Sequence, residues 1–298
     1  MKVVEPCSSI QDSCPHLLVF YLGSEESGGT VRAVSRLAEE WLSSGSRVTH
    51  ATFSGDIQNS AANVEHEDLG CRLTRSAMEH SALAVVRGLS PLIRLLRRVR
   101  GVVRDRPCAI VLPFLTGTSL LTIAATIGLP NHIVVCERTD VSRHRVGWHI
   151  RLLRRILYRR AAAITINSPN PAAAAMLRKI SGGRPVYFVP NPQPRGIPRA
   201  DPATSRSILA VGRLEPQKGH ATLLDAFATI AEHLPEWNMV ILGEGSLRSE
   251  LEAKVQALGL SGRVDLEGQV EDPNPYYASS GAFVLPSHYE GMSNALQE

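Results

Sequence analysis

Cysteine and lysine are scarce in this sequence. The five cysteines are odd in number and form no CxxC pair, so the sequence indicates neither a disulfide framework nor a zinc site. The N-terminal stretch has no apolar core long enough for a signal peptide, and we expect a cytoplasmic protein. Four lysines stand against twenty-eight arginines. A lysine inside a motif is therefore not simply the default cation of this chain.

Charged residues are absent from positions 107 to 136. A run of thirty uncharged positions requires that a membrane helix be weighed. Prolines, glycines and Asn131 divide the run, however, and predict a strand (108–112), a helix (118–127) and a second strand (132–136). Parallel strands covered on both faces have uninterrupted apolar sequences, so the pattern favours a buried βαβ unit.

Two domains are expected, because 298 residues exceed the size at which a single core stops growing. Strands alternate with helices on both sides of a segment with five prolines between 190 and 202, which indicates doubly wound parallel sheets. We predict domains at 1–190 and 207–298 and a linker at 191–206; a long surface loop is the alternative. The other predicted strands are 17–22, 47–53, 162–166, 207–211, 238–242, 263–266 and 282–285, and the other predicted helices are 30–43, 220–232 and 247–258.

Arginine is concentrated in the first half of the chain. Residues 86–160 contain fifteen arginines and three acidic residues. Leucines and arginines recur at helical spacing in 89–106 and 148–160, which suits an anionic membrane surface; ordinary solvated helix faces are the alternative. A nucleic-acid partner is not expected, because there is no recognised binding motif and few aromatics are interleaved with the arginines.

Glycine-rich turns follow several predicted strands. The first, SEESGGT (24–30), contains Gly28 and Gly29, where a phosphate or sugar could approach the backbone closely. It has neither the GxGxxG nor the P-loop spacing, and a simple tight turn is the alternative. In GRLEPQKG (212–219), Arg213 and Lys218 lie between two glycines, which suits a diphosphate. Further turns are LGEGSL and LEGQV, the second containing Gln269 and Val270.

The final segment, EGMSNALQE, has Glu290 and Glu298 eight positions apart. In a helix beginning near Glu290 both carboxylates would lie on one face. Gly291, Met292, Ser293 and Asn294 would form its first turn, with backbone N–H groups free to bind an anion. A surface helix with two unrelated glutamates is the alternative.

In order, GGT, VPNP, VGRLEPQKG, LGEGSL, LEGQV and SHYEGMSNALQE resemble the retaining glycosyltransferases of the GT-B fold, family four. The resemblance implies an α/β fold of two Rossmann-like doubly wound domains facing a cleft, the second domain incomplete because the chain stops at Glu298. It implies a UDP-sugar donor, a lipid-linked or polysaccharide acceptor, retention of configuration and no metal. With the basic helices described above, we expect a cytoplasmic enzyme that is peripheral at the inner face of the membrane.

The same resemblance implies roles for individual residues. Arg213 and Lys218 hold the donor diphosphate, with Gly28 and Gly29 over it. Glu290 lies near the donor sugar hydroxyls, Glu298 binds the ribose and Val270 borders the base. Backbone N–H groups of Gly291, Met292, Ser293 and Asn294 reach sugar and phosphate. Where many relatives have a histidine, this chain has CERTD (136–140); Arg138 is then a site residue, and a strand-end salt bridge is the alternative.

Two alternative functions remain open. A non-catalytic remnant would bind membrane or a partner without turnover. A sugar-nucleotide epimerase of the same architecture would consume UDP-sugar without an acceptor.

Overall fold

The computed structural model describes residues 15–21, 28–53, 63–70, 89–144, 146–193, 201 and 204–298. The chain divides into two compact units, unit 1 (Met1–Pro192) and unit 2 (Gln193–Glu298). Residues 194–200 and 202–203 of the expected linker lie outside the described residues. Each unit has its own parallel sheet and its own apolar core.

Unit 1 alternates strands and helices. Its described strands are β1 (His16–Tyr21), β2 (Arg47–Thr52), β3 (Glu65–Asp68), β4 (Ile110–Pro113), β5 (Val134–Glu137), β6 (Ala163–Ile166) and β7 (Val186–Phe188). Its described helices are α1 (Gly28–Ser43), α2 (Leu89–Arg104), α3 (Thr116–Ala125), α4 (Trp148–Leu157) and α5 (Pro171–Ile180).

The strands of unit 1 pair in parallel in the order β3-β2-β1-β4 and β5-β6-β7. Parallel bridges between β4 and β5 join the two groups. Side chains of β1 alternate between two buried clusters: Leu18 and Phe20 enter one, Val19 and Tyr21 the other. Both faces of this sheet are therefore covered, as in doubly wound folds.

The uncharged run of the sequence forms β4, α3 and β5 in the interior of unit 1. The βαβ interpretation is confirmed, with element ends shifted by one to two residues. No helix in the described ranges is long and apolar enough to cross a bilayer.

Unit 2 contains a four-stranded parallel sheet in the order β10-β9-β8-β11. Its strands are β8 (Ser207–Val211), β9 (Asn238–Leu242), β10 (Val264–Gly268) and β11 (Ala282–Phe283). Its helices are α6 (His220–Ile230), α7 (Arg248–Ala257), α8 (Asn274–Ser279) and α9 (Asn294–Gln297). Leu224 and Phe227 of α6 share its buried core with Met239 and Ile241 of β9.

The helix predicted to begin near Glu290 is wrong. Only Asn294–Gln297 are helical, and Ser293 precedes them with extended backbone angles, φ −75° and ψ 123°. Glycine at 291 weakens a helix, whereas serine favours the position just before one. Gly291, Met292 and Ser293 therefore do not form a helical first turn, and Glu290 and Glu298 do not share a helical face.

Four elements have no counterpart among the predictions: β3, α5, β7 and α8. The sequence of β3 is EHED, which has no apolar alternation. The strand lies at the edge of the sheet, where polar side chains can stay in contact with solvent. The start of α5 did carry a signal: Asn170 accepts a hydrogen bond from the backbone N–H of Ala172, and proline occupies the first helical position.

Candidate functional site

The predicted diphosphate residues lie in the turn that leads from β8 to α6. Arg213 is exposed two residues beyond β8, and the next residue, Leu214, is fully buried and anchors the turn. Residues Pro216–Lys218 form one turn of 3-10 helix. Gly219 then adopts φ 69°, and a Cβ there would collide with the carbonyl oxygen of Pro286.

A second segment, residues 286–290, follows β11 and is hydrogen-bonded to this turn. The Gln217 side chain donates to the carbonyl of Tyr289 (2.9 Å), and the backbone N–H of His288 donates to the carbonyl of Gln217 (2.9 Å). Because β11 pairs with β8, the carboxyl ends of these strands are neighbours. The two segments therefore reach the same edge of the sheet.

Lys218 and Glu290 are brought into direct contact. The ammonium nitrogen of Lys218 lies 2.6 Å from Glu290 Oε1, and their side chains are only 17% and 22% exposed. The hydroxyl of Ser287 donates to the same oxygen at 2.7 Å. An ammonium has three N–H donors, of which this ion pair uses one. The pair fixes the direction in which Lys218 points.

His220, the first residue of α6, lies buried behind this turn. Burial lowers the pKa of His220, so its ring is neutral at pH 7. It therefore fills space behind Arg213 and Lys218 without adding charge.

The other residues of unit 2 that were predicted to bind the nucleotide-sugar donor lie outside the turn that contains Lys218. Val270 follows β10 by two residues, at the same edge of the sheet. Glu298 follows α9 and accepts a hydrogen bond from the hydroxyl of Tyr277 at 3.3 Å. The side chain of Met292 contacts Gln297. Gly291 and Ser293 belong to the connection between Glu290 and α9, and Asn294 is the first residue of α9.

In unit 1, Gly28 and Gly29 are the first residues of α1. The loop expected at these glycines is therefore helical, and the predicted start of the helix at Thr30 was two residues late. Residues 24–27 of the SEESGGT motif lie outside the described residues.

In the CERTD segment, the adjacent residues Glu137 and Arg138 have different partners. Glu137 is 1% exposed, and its carboxylate accepts hydrogen bonds from Thr116 (3.0 Å) and Tyr158 (2.5 Å). Arg154 Nη2 lies 3.3 Å from the same carboxylate. Burial raises the pKa of Tyr158 well above its usual value, so the phenol stays a donor.

Arg138 points elsewhere. Its Nη1 donates to Asn191 Oδ1 at 2.9 Å, and its guanidinium lies over the Phe114 ring, 4.9 Å from the centroid. Burial lowers the pKa of Arg138, yet an arginine remains protonated at neutral pH. The strand-end salt bridge considered for Arg138 is made by Glu137 instead, with Arg154 as its partner. Asn191 belongs to the VPNP motif, but neither spacing nor composition pointed to its side chain.

The two arginine-rich helices differ in the face that is exposed. In α2 the apolar positions Leu95, Val99 and Val103 are buried in the core. Its arginines bond nearby carbonyls: Arg98 donates to Leu69 (2.6 Å), and Arg100 donates to residues 125 and 127. Helix α2 is thus an ordinary core helix with a solvated face, and the membrane interpretation of this segment is not supported.

Helix α4 has a large exposed apolar face. Trp148 is 70%, Leu152 50% and Ile156 56% exposed, and these positions recur every four residues along one side. Arg151 and Arg155 are exposed beside them. The buried side of α4 consists of Ile150, Arg154 and Leu157. We call the residues Trp148, Leu152, Leu153 and Ile156 with the two exposed arginines the α4 face.

No group of three or more histidine, cysteine, aspartate or glutamate side chains arranged to hold a metal occurs in the described ranges.

Comparison with known proteins gives matches along most of the chain. Residues 28–192 match the model of the glycosyl transferase 4-like domain, and residues 198–298 match the glycosyl transferases group 1 model. The amylovoran biosynthesis glycosyltransferase AmsD of Erwinia amylovora is 24% identical over 295 residues, which cover 95% of this chain and 77% of that protein.

A second relative is the N-acetylgalactosamine-N,N'-diacetylbacillosaminyl-diphospho-undecaprenol 4-alpha-N-acetylgalactosaminyltransferase of Campylobacter jejuni. It is 43% identical over 91 residues, which cover 30% of this chain and 24% of that protein. Among solved structures, Anabaena Alr3699/HepE in complex with UDP matches with a TM-score of 0.65 and 16% identity, over 91% of this chain and 74% of that one. At this identity the structural match concerns the fold, which is that of the GT-B glycosyltransferases.

Proposed function

The chain belongs to the glycosyl transferase 4-like family, with a glycosyl transferases group 1 domain after it, and from this we propose a retaining glycosyltransferase. It transfers a hexose or N-acetylhexosamine from a UDP-sugar to a lipid-linked or polysaccharide acceptor, in the synthesis of a bacterial cell-surface glycan. No metal takes part in this proposal.

The observation that carries the proposal is the contact of Lys218 with Glu290. A cation suited to phosphate and a carboxylate suited to sugar hydroxyls lie together at the carboxyl edge of a parallel sheet, where open α/β sheets bind ligands. Arg213 is exposed in the same turn. The structural relative with bound UDP supports the choice of nucleotide.

The proposed chemistry breaks the bond between the sugar C1 and the β-phosphate oxygen. The acceptor hydroxyl oxygen bonds to C1 on the same face, and its proton passes to the departing phosphate oxygen. Negative charge that develops on UDP is stabilised by Arg213 and Lys218, which are fixed before the reaction. Glu290 contacts the donor sugar and forms no covalent bond. Arg138 of unit 1 is a further cation proposed to act on the substrate.

Activity can be tested by incubating the chain with UDP-glucose, UDP-galactose and their N-acetylated forms, with and without polyprenyl-diphosphate-linked sugars. We expect acceptor-dependent release of UDP that falls at least tenfold in Lys218→Met. The control is Lys254→Met, since that lysine of unit 2 pairs with Asp225 on the surface. Consumption of UDP-sugar without acceptor would favour the epimerase, and binding without turnover would favour the remnant.

The lipid-linked acceptor implies a membrane partner, and we propose that the α4 face binds it. The diphospho-undecaprenol substrate in the name of the Campylobacter relative supports such an acceptor. Exposed apolar side chains enter the boundary of the bilayer while Arg151 and Arg155 contact anionic headgroups. The chain is then peripheral at the inner, cytoplasmic face of the membrane.

Vesicle sedimentation tests this partner. Binding to vesicles with 30% phosphatidylglycerol should exceed binding to pure phosphatidylcholine and should weaken with salt, because surface charges are screened. Leu152→Ser with Ile156→Ser should reduce binding at least tenfold. Ile93→Ser, which alters a comparably exposed isoleucine of α2, should not. Salt-insensitive binding would point to hydrophobic insertion alone, and no loss in the double variant would remove the α4 face.

A further inference from the structure

Three neighbouring strands of unit 1 deliver polar side chains to one place. Arg138 follows β5, Asn167 follows β6 and Asn191 lies three residues beyond β7. Asn191 Oδ1 accepts hydrogen bonds from Arg138 Nη1 (2.9 Å) and from Asn167 Nδ2 (3.1 Å). Both asparagines are at least 95% buried. Carboxyl ends of parallel strands meet at one edge, so this cluster lies where such sheets bind ligands.

Hydrogen-bond logic fixes the orientation of both amides. A guanidinium only donates, so the atom of Asn191 that faces Arg138 is its oxygen. Asn167 must then direct its NH₂ group towards that oxygen. Asn167 Oδ1 is left buried, and no donor among the described residues reaches it. Arg138 Nε is likewise buried without an acceptor in the described ranges.

Among the described residues, no carboxylate compensates the charge of Arg138. No carboxylate of the described residues lies within ion-pair distance of it, whereas Arg154, the fully buried arginine of the same unit, contacts Glu137. The Phe114 ring stabilises the cation from one side without neutralising it. A half-buried cation with no counter-ion among the described residues is costly, and an anion bound beside it would lower that cost. Guanidinium groups bind phosphate and carboxylate best.

We propose that Arg138 is an oxyanion subsite of unit 1 that binds a phosphate group of the substrate, and that Asn191, backed by Asn167, is its positioning residue. The identity of that phosphate as part of a glycosyl-transfer substrate rests on the function proposed above. It belongs either to the nucleotide donor or to a diphosphate-linked lipid acceptor, which share this chemistry. Asn191 holds the guanidinium with a neutral oxygen, so orientation is gained without loss of positive charge.

Asn191→Asp tests this inference, because it keeps the shape of the side chain and places a carboxylate against Arg138. The new ion pair should leave the melting temperature unchanged or raised. Affinity for a diphosphate should fall about tenfold or more, since Arg138 is then neutralised. Asn238→Asp is the matched control: it adds the same charge at an exposed position of unit 2, at the start of β9.

Calorimetric titrations with UDP and with geranyl diphosphate identify the source of the phosphate. A loss confined to UDP supports a donor subsite, a loss confined to geranyl diphosphate supports an acceptor subsite, and a loss of both supports a shared one. Wild-type affinity of Asn191→Asp for both compounds overturns the proposal, as does failure of the wild type to bind either. If Asn191→Asp does not fold, Arg138→Gln carries the same expectation.

These outcomes are separate from those of the activity assay. A wild type that transfers no sugar but loses diphosphate affinity in Asn191→Asp would refute the proposed function and keep the subsite. A wild type that transfers sugar, together with unaltered diphosphate affinity in Asn191→Asp, would keep the proposed function and refute the subsite. A purely structural role of Asn191 would lower the melting temperature of the variant and leave its diphosphate affinity unchanged.

Discussion

Replacement of Glu290 by glutamine separates two roles that the structure combines in one side chain. Glu290 compensates the charge of Lys218, from which it is 2.6 Å away, and in the proposed function it also contacts the donor sugar. Glutamine keeps the size and an acceptor oxygen for Lys218 and Ser287. It removes only the negative charge. We therefore expect UDP affinity and transfer rate to change in opposite directions.

The magnitude follows from the burial of the pair. Unit charges 4 Å apart attract by about 4 kcal/mol at an effective dielectric constant of 20. Both side chains are partly exposed, at 17% and 22%, so desolvation and screening reduce the net coupling to about 1 kcal/mol. If Lys218 gives up this coupling when it turns to a phosphate, Glu290→Gln should bind UDP about fivefold more tightly.

The transfer rate should fall about 100-fold or more in the same variant, because a charged group at the reacting sugar is lost. Lys218→Met should instead weaken UDP binding and slow transfer together. Calorimetry with UDP and a coupled assay of UDP release measure the two quantities separately. Thermal unfolding serves as the control, since glutamine should cost the fold about 1 kcal/mol at most.

Two results would refute this reasoning. Weaker UDP binding in Glu290→Gln, similar to that in Lys218→Met, would mean that the carboxylate mainly holds the turn in place. An unchanged transfer rate would remove Glu290 from the reaction.

Three further substitutions test individual contacts by chemical denaturation. Arg154→Met should lower the free energy of unfolding of unit 1 by about 3–5 kcal/mol, because Glu137 stays buried without its cation. Adding Glu137→Gln should recover part of that loss; strictly additive losses would contradict the pairing. Gly219→Ala should destabilise unit 2 by about 1–3 kcal/mol, since its φ is 69° and the new Cβ would meet Pro286; unchanged stability would contradict this conformation. Burial and a neighbouring histidine lower the pKa of His50 from 6.5 to about 4. The neutral ring therefore stabilises the fold above pH 6.5, and this stability is lost as the pH falls towards 4. The wild type should lose about 2–3 kcal/mol more than His50→Asn between pH 7 and pH 4.5; equal losses would contradict the lowered pKa.

The elements that could be predicted from the sequence are those with strong local patterns. The uncharged run gave β4, α3 and β5 because buried parallel strands leave an uninterrupted apolar sequence. Strands β8 and β9 were predicted with their exact bounds for the same reason. Strand β3 could not be found this way, because its four residues are polar and its pairing with β2 is decided by tertiary contacts.

In the candidate site, too, single residues could be predicted from local motifs, whereas their contacts could not. Arg213, Lys218 and Glu290 were recognisable as single residues in motifs. The ion pair of Lys218 with Glu290 depends on β11 lying beside β8, a strand order that no local pattern contains. The predicted helix at Glu290 failed because two hydrogen bonds with Gln217, distant in sequence, hold that segment in another conformation. The Gln217 side chain donates to the carbonyl of Tyr289, and the backbone N–H of His288 donates to the carbonyl of Gln217. Asn191 was missed because its role exists only once β5, β6 and β7 are adjacent.

The adjacent residues Glu137 and Arg138 explain how unit 1 keeps a positive charge at its sheet edge. Successive side chains at a strand end point in opposite directions, so the acid nearest to Arg138 in sequence is directed away from it. Arg154, Thr116 and Tyr158 then satisfy that carboxylate inside the protein. If Glu137 instead paired with Arg138, the edge would be neutral and would offer no charge to a phosphate. The buried cluster around Glu137 therefore stabilises the fold and also keeps that carboxylate away from Arg138.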